Sequence, residues 1–256
     1  MCFDEDAVPP IPADPDASIV SRDLELVAAD GNRFAAFVAE PEGDTETAVV
    51  VLPDLRGLYG FYTELAKRFA ERGIRAIVID YYGRSAGVAQ RAKDFPYAEH
   101  LATLNPRGIY ADLAAAVEYL RSPEGGSSRF VLTAGFCIGG RIAVLAATGP
   151  IAPAGVIGFY CWPAAGNDGA PGPTARAAEL RAPVLALMAG DDPGIPAADV
   201  EDFEKALTTA GVEHEVVTYP GAPHSFFDSK RSEFADASAD AWRRVLEFAE
   251  RVSVPV

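Results

Sequence analysis

Phe130-Val131-Leu132-Thr133-Ala134-Gly135-Phe136-Cys137-Ile138-Gly139-Gly140 is the stretch that decides the architecture. Phe130–Ala134 is a short apolar run of the kind that fills a strand buried on both faces of a parallel sheet. Gly140–Ala147 reads as a helix. Between them, two glycines bracket a cysteine. A strand that passes into a helix this abruptly leaves the residue at the apex in a strained backbone conformation. Side chains at 135 and 139 would collide across the turn, so glycine is needed at both. The pattern is the G-x-S-x-G nucleophile elbow with cysteine in the serine position. The thiol of Cys137 then stands at a helix N-terminus, where the dipole and free N–H groups favour an anion. The N–H of Ile138 would point at a developing oxyanion. Cys161, after another buried run, reads as structural, and Cys2 as incidental.

Outward from this turn, the chain alternates short apolar runs with helical stretches. Ala48–Leu52, Ile74–Ile79, Gly155–Tyr160, Val184–Met188 and Glu215–Tyr219 read as further strands. Phe61–Arg72, which ends at Gly73, reads as a helix, as do Gly108–Arg121, Ala198–Ala210 and Phe234–Val252. Upstream, Ser21–Val27 and Arg33–Ala39 flank Asp30-Gly31-Asn32, a hairpin signal. A hairpin followed by strand–helix repeats predicts an α/β fold: a mostly parallel central sheet, helices on both faces, and an antiparallel N-terminal hairpin. Residues 85–107 hold no clear strand and form an excursion near a rim. Residues 1–17, rich in Pro, Asp and Ala, read as an extended arm packed loosely or not at all, leaving 18–256 as one α/β domain.

The 256 residues carry 22 Lys and Arg against 37 Asp and Glu, a net charge of −15. Such a chain repels phosphate backbones and anionic lipid, so neither nucleic acid nor membrane is an expected partner. Three cysteines without a C-x-x-C pair make neither a disulfide framework nor a zinc site, and fit a reducing cytosol. The acidic start MCFDEDAVPP lacks the basic and apolar regions of a signal peptide. The uncharged span from Ile142 to Asn167 is broken by glycines and prolines and reads as helix, turn and buried strand rather than a membrane span.

Three histidines are present, and elimination narrows the general base. His214 lies between two glutamates at a strand start, and His100 lies in the excursion. His224 follows the last strand, in Pro220-Gly221-Ala222-Pro223-His224, where a loop off the strand's carboxyl end delivers a triad histidine. The orienting acid belongs between nucleophile and histidine, in the loop after Val184–Met188, which offers Asp191 and Asp192. Spacing does not choose between them.

These residues together resemble the dienelactone hydrolase family, whose members have an α/β-hydrolase fold. The resemblance runs from about residue 20 to 250. It rests on Gly-Phe-Cys-Ile-Gly-Gly at 135–140, on Gly190-Asp191-Asp192-Pro193-Gly194-Ile195-Pro196, and on Tyr219-Pro220-Gly221 leading to His224-Ser225-Phe226. The resemblance implies Asp192 as the acid, because the family's aspartate precedes two variable residues, Val or Ile, and then Pro. It implies that Asp54, in Pro53-Asp54-Leu55-Arg56-Gly57, stands where family members usually carry a glutamate that gates the thiol. Leu55 N–H would be the second oxyanion donor. Arg84 would pair with that acid and with a substrate carboxylate, and Tyr160 and Phe226 would line the site. At position 228, where the best-known members carry a second arginine, this chain has aspartate, which disfavours a carboxylate-bearing dienelactone.

The implied chemistry is acyl transfer from a small-molecule ester or lactone through Cys137, Asp192 and His224, with no metal or organic cofactor, by a monomer or homodimer. Two rivals stand beside it. One is a ligand-binding module on a hydrolase scaffold. The other is a thiol redox protein with Cys161 as the resolving cysteine.

Overall fold

The structure, a computed structural model, describes residues 3–4, 6–92, 94–166 and 169–254. Its centre is an eight-stranded sheet in the order β1-β2-β4-β3-β5-β6-β7-β8. The strands are β1 (Ile19–Val27), β2 (Arg33–Pro41), β3 (Thr47–Leu52), β4 (Arg75–Ile79), β5 (Phe130–Phe136), β6 (Val156–Phe159), β7 (Val184–Asp191) and β8 (His214–Pro223). β1 and β2 form the expected antiparallel hairpin, and β2 pairs antiparallel to β4. From β4 through β8 every pairing is parallel. All the loops that follow β3 to β8 therefore emerge along one edge of the sheet, where open α/β sheets bind ligands.

The helices are α1 (Gly60–Ala70), α2 (Gly83–Ala86), α3 (Tyr97–Leu101), α4 (Pro106–Arg121), α5 (Ile138–Leu145), α6 (Ala197–Ala210) and α7 (Ala235–Val252). Alternation along the strands sends Val49, Val51, Ala76 and Val78 into one core cluster, with α1, α6 and α7. Ala48, Val50, Ile77 and Ile79 join the other, with α4 and part of α5. Local chemistry sets the helix ends. Asn105 caps α4 by accepting the Gly108 N–H at 2.7 Å, with Pro106 in the first turn, a contribution of about 1 kcal/mol. Gly211 closes α6 in a left-handed conformation. Among its described residues, the excursion over 85–107 carries the end of α2, α3 and the first two residues of α4.

The N-terminal segment departs from the loosely packed arm expected from its composition. Phe3 and Ala7 are both buried at 2% exposure. Ser229 N–H donates to the Val8 carbonyl at 3.1 Å, and Lys230 forms ion pairs with Asp4 and Asp6. The composition is polar, but one aromatic anchor and a few backbone contacts suffice to dock the segment, and composition does not report those.

Candidate active site

At the apex of the turn between β5 and α5, Cys137 has φ 57° and ψ −119°. A non-glycine residue held there costs about 1–3 kcal/mol, supplied by the surrounding fold. The glycine requirement is literal. A β-carbon at Gly135 would lie 2.0 Å from the Gly139 carbonyl oxygen, and one at Gly139 would lie 2.2 Å from the carbonyl oxygens of Leu52 and Pro53. Cys137 N–H donates to the Phe159 carbonyl at 3.1 Å, tying the elbow to the end of β6. The residue is buried at 5% exposure. Ile138 is the first residue of α5, so its N–H is one of the first-turn groups that have no acceptor within the helix.

Two strands further along the sheet edge, Asp192 and His224 meet. His224 Nδ1 lies 2.5 Å from Asp192 Oδ2, the imidazole N–H donating to the carboxylate. Gly194 N–H donates to the other oxygen, Asp192 Oδ1, at 2.9 Å. Burial works to raise the Asp192 carboxyl, but the His224 hydrogen bond and charge outweigh it and hold the group below its usual range. Asp191 is instead the last residue of β7, in register with Pro223, and is exposed. Of the two aspartates that spacing left equal, Asp192 is the one hydrogen-bonded to His224. The other histidines lie apart from this pair. His100 stacks on Phe95, with Nδ1 3.0 Å from Ser85 Oγ, and His214 Nδ1 donates to the Val212 carbonyl at 2.7 Å.

Tyr160, just after β6, bridges the two regions. Its ring centroid is 4.8 Å from that of His224 and 6.2 Å from that of Phe136, the residue before Cys137. Cys137, Tyr160 (φ 34°) and Ser225 (φ 62°) all hold positive φ, so backbone strain gathers around this edge. Phe226 is fully buried and packs edge-on beneath Tyr160 at 5.7 Å, so it supports the site rather than lining its surface.

The loop after β3 forms the facing wall, and three tyrosine hydroxyls hold it. Tyr81 donates to the Pro53 carbonyl at 2.7 Å, Tyr62 accepts the Asp54 N–H at 2.8 Å, and Tyr82 donates to the Leu55 carbonyl. Asp80 extends the brace. It accepts Leu58 N–H and Tyr82 N–H and receives Arg91 through two nitrogens at 3.0 and 2.6 Å, with the whole pair buried. No local pattern marks this brace, because the hydroxyls of Tyr81 and Tyr82 reach back 28 and 27 positions to Pro53 and Leu55. The Asp54 side chain is 1% exposed. It accepts Arg56 N–H at 2.9 Å, Phe3 N–H at 3.3 Å and the Tyr59 hydroxyl at 3.4 Å. Burial pushes its carboxyl up to about 6, against the opposing pull of the Arg56 and Phe3 N–H groups.

Arg84 does not pair with Asp54. Its guanidinium takes Asp30 at 2.6 Å and Asp112 at 2.7 Å, and donates to the Gly108 carbonyl at 3.1 Å. The reason is local: Asp30 from the hairpin turn and Asp112 from α4 offer two carboxylates on the α4 side of the sheet, and the side chain turns toward them. Asp228 is 5% exposed and accepts Lys230 N–H at 3.1 Å. With Phe3, Ser225 and Arg231 it lines a hollow of about 270 Å³.

A mostly parallel sheet with an antiparallel start, covered on both faces and carrying this strained elbow, defines an α/β-hydrolase fold. Within that class the chain belongs to the dienelactone hydrolase family, whose model matches residues 34–253. It is 31% identical over 241 residues to a candidate carboxymethylenebutenolidase of Salmonella typhi, covering 91% of this chain and 88% of that one. A second such candidate, from Saccharolobus solfataricus, is 28% identical over 261 residues, covering 88% and 96%. The crystal structure of a candidate dienelactone hydrolase from Klebsiella pneumoniae superposes with a TM-score of 0.81 at 26% identity, covering 91% of this chain and 99% of that one. Among the described residues no helix is long and apolar enough to cross a membrane.

Proposed function

We propose that the chain hydrolyses a small ester or lactone through a covalent thioester on Cys137. The observation that carries this reading is the 2.5 Å bond from His224 to Asp192, set beside a strained cysteine elbow on the same sheet edge. In the first half-reaction the Cys137 thiolate attacks the substrate carbonyl carbon and forms a C–S bond. The carbonyl oxygen takes the charge, facing the N–H groups of Leu55 and Ile138. As the tetrahedral species collapses, the C–O bond to the leaving group breaks and that oxygen takes the Nε2 proton that His224 carried as the imidazolium partner of the thiolate, leaving neutral imidazole. In the second, His224 removes a proton from water as the hydroxide adds to the thioester. The C–S bond then breaks, releasing the carboxylic acid and regenerating the thiolate. Asp192 fixes the imidazole tautomer and offsets its positive charge.

Asp54, with its carboxyl near 6, is the group we assign to exchanging a proton with the resting thiol. A nucleophilic thiol persists in a reducing compartment, so we place the chain in the cytoplasm. Cys161 argues against the redox alternative, because complete burial pushes its thiol up to about 12, far from a resolving thiolate. Replacing Cys137 with alanine should abolish turnover of p-nitrophenyl acetate and the thioester mass adduct in the intact protein. Undiminished turnover in that variant would sink the proposal.

A further inference from the structure

Phe3 lies outside the segment that matches the family, which begins at residue 34, and is buried beside residues that flank the proposed site. Its ring stacks on Phe61 at 3.8 Å and lies 6.0 Å from Phe136 and 6.3 Å from Tyr160. Its N–H donates to Asp54 at 3.3 Å. Three of these neighbours adjoin different parts of the proposed site: Asp54 lies in the loop after β3, Phe136 precedes the nucleophile, and the Tyr160 ring packs on His224. The segment behind Phe3 is fastened to the histidine loop. Lys230 pairs with Asp4 and Asp6, and Ser229 N–H holds the Val8 carbonyl at 3.1 Å. The segment thus runs from the loop carrying His224 to the loop carrying Asp54, and an aromatic ring fills the space between.

We propose that Phe3 is a specificity-determining residue that sets the size of the group able to reach Cys137. A phenyl side chain buries roughly 150–250 Å², so in this position it excludes a group of about its own size. Trimming it to alanine opens that space and leaves the backbone N–H on Asp54 in place. Space of this kind discriminates between substrates by factors of about 10–200 per added carbon group. The effect on turnover rests on the hydrolase reading above, but the steric restriction on the Cys137 sulfur does not.

The test compares wild type, Phe3→Leu and Phe3→Ala in two assays. One measures kcat/KM for p-nitrophenyl benzoate relative to p-nitrophenyl acetate. The other measures alkylation of Cys137 by N-phenylmaleimide relative to iodoacetamide, read on the Cys137 peptide by mass spectrometry. Both ratios should rise by about tenfold or more in Phe3→Ala, with the benzoate gain appearing in KM, and Phe3→Leu should fall between. Ratios unchanged within about twofold would overturn the proposal. So would equal acceleration by both alkylating reagents, which would mark a general loosening. If Phe3→Ala does not fold, Phe3→Leu decides on the same criteria. A wild type that turns over neither ester while the alkylation ratio still moves would refute the hydrolase reading and leave the steric role of Phe3 standing.

Discussion

Arg84 Nη2 lies 2.7 Å from Asp112 Oδ1, and the Asp112 side chain is 1% exposed. Arg84 therefore neutralises a buried carboxylate on the α4 face. Removing one partner of a buried pair costs about 3–5 kcal/mol. Arg84 keeps 27% of its side chain exposed, and Asn32 still donates to Asp112 at 2.9 Å, so about 2 kcal/mol is expected here. Arg84→Met should lower urea-unfolding stability by that amount while KM for an ester bearing a free carboxylate stays within about twofold. A selective tenfold rise in that KM, with stability intact, would return Arg84 to the substrate.

Asp54 should make stability depend on pH in an unusual direction. Its folded carboxyl sits near 6, above the unfolded value of 3.8. Between those values the folded state binds the proton and the unfolded state does not. Stability therefore falls as pH rises from about 4 to 6, and the full penalty persists above that. A separation of two units corresponds to about 3 kcal/mol. Asp54→Asn removes the titration. Measured by urea unfolding, the variant should gain about 3 kcal/mol relative to wild type between pH 4 and pH 7.5. A difference that does not change with pH would refute the burial argument.

Asp191 and Asp192 are adjacent, yet only Asp192 reaches His224. Asp192→Asn can present a donor to Nδ1 and favours the wrong imidazole tautomer. The variant should lose about 10²–10⁴-fold in kcat on an aryl ester. Asp191→Asn should match wild type, because its side chain is solvent-exposed at the strand end. Equal losses in the two variants would mean that the structural choice between them is wrong.

The elements of this fold were legible because their signals are local. All eight strands and the five long helices follow from hydrophobic period, glycine and proline within a few residues of each boundary. The turn around Cys137 is legible for the same reason, since the two glycines and the helix that force its geometry lie within ten residues. Contacts between distant segments leave no such trace. Phe3 and Asp54 are 51 positions apart, and Tyr82 reaches back 27 to Leu55. Neither pair has a period or spacing to betray it. Arg84 shows the converse failure. The family pattern placed it by its neighbours in the chain, while its direction is set by Asp30 and Asp112, 54 and 28 positions away.

The tyrosines that hold the loop after β3 should matter to rate more than to binding. Tyr62 is fully buried, and its hydroxyl accepts the N–H of Asp54, next to Leu55, the proposed oxyanion donor. Tyr62→Phe leaves the aromatic packing on Phe61 and Phe136 but strips a buried N–H of its acceptor. An unsatisfied donor of this kind costs about 1–3 kcal/mol, and the loop can relieve that cost only by turning the peptide and moving Leu55 N–H with it. An oxyanion donor displaced from its 2.7–3.1 Å optimum weakens the transition state and not the ground state. Tyr62→Phe should therefore lose about 1–2 kcal/mol of stability and about tenfold in kcat, with KM nearly unchanged. Steady-state kinetics on p-nitrophenyl acetate decide the matter. A change confined to KM would place Tyr62 against the bound substrate, and a change in neither would free the loop from the role assigned to it.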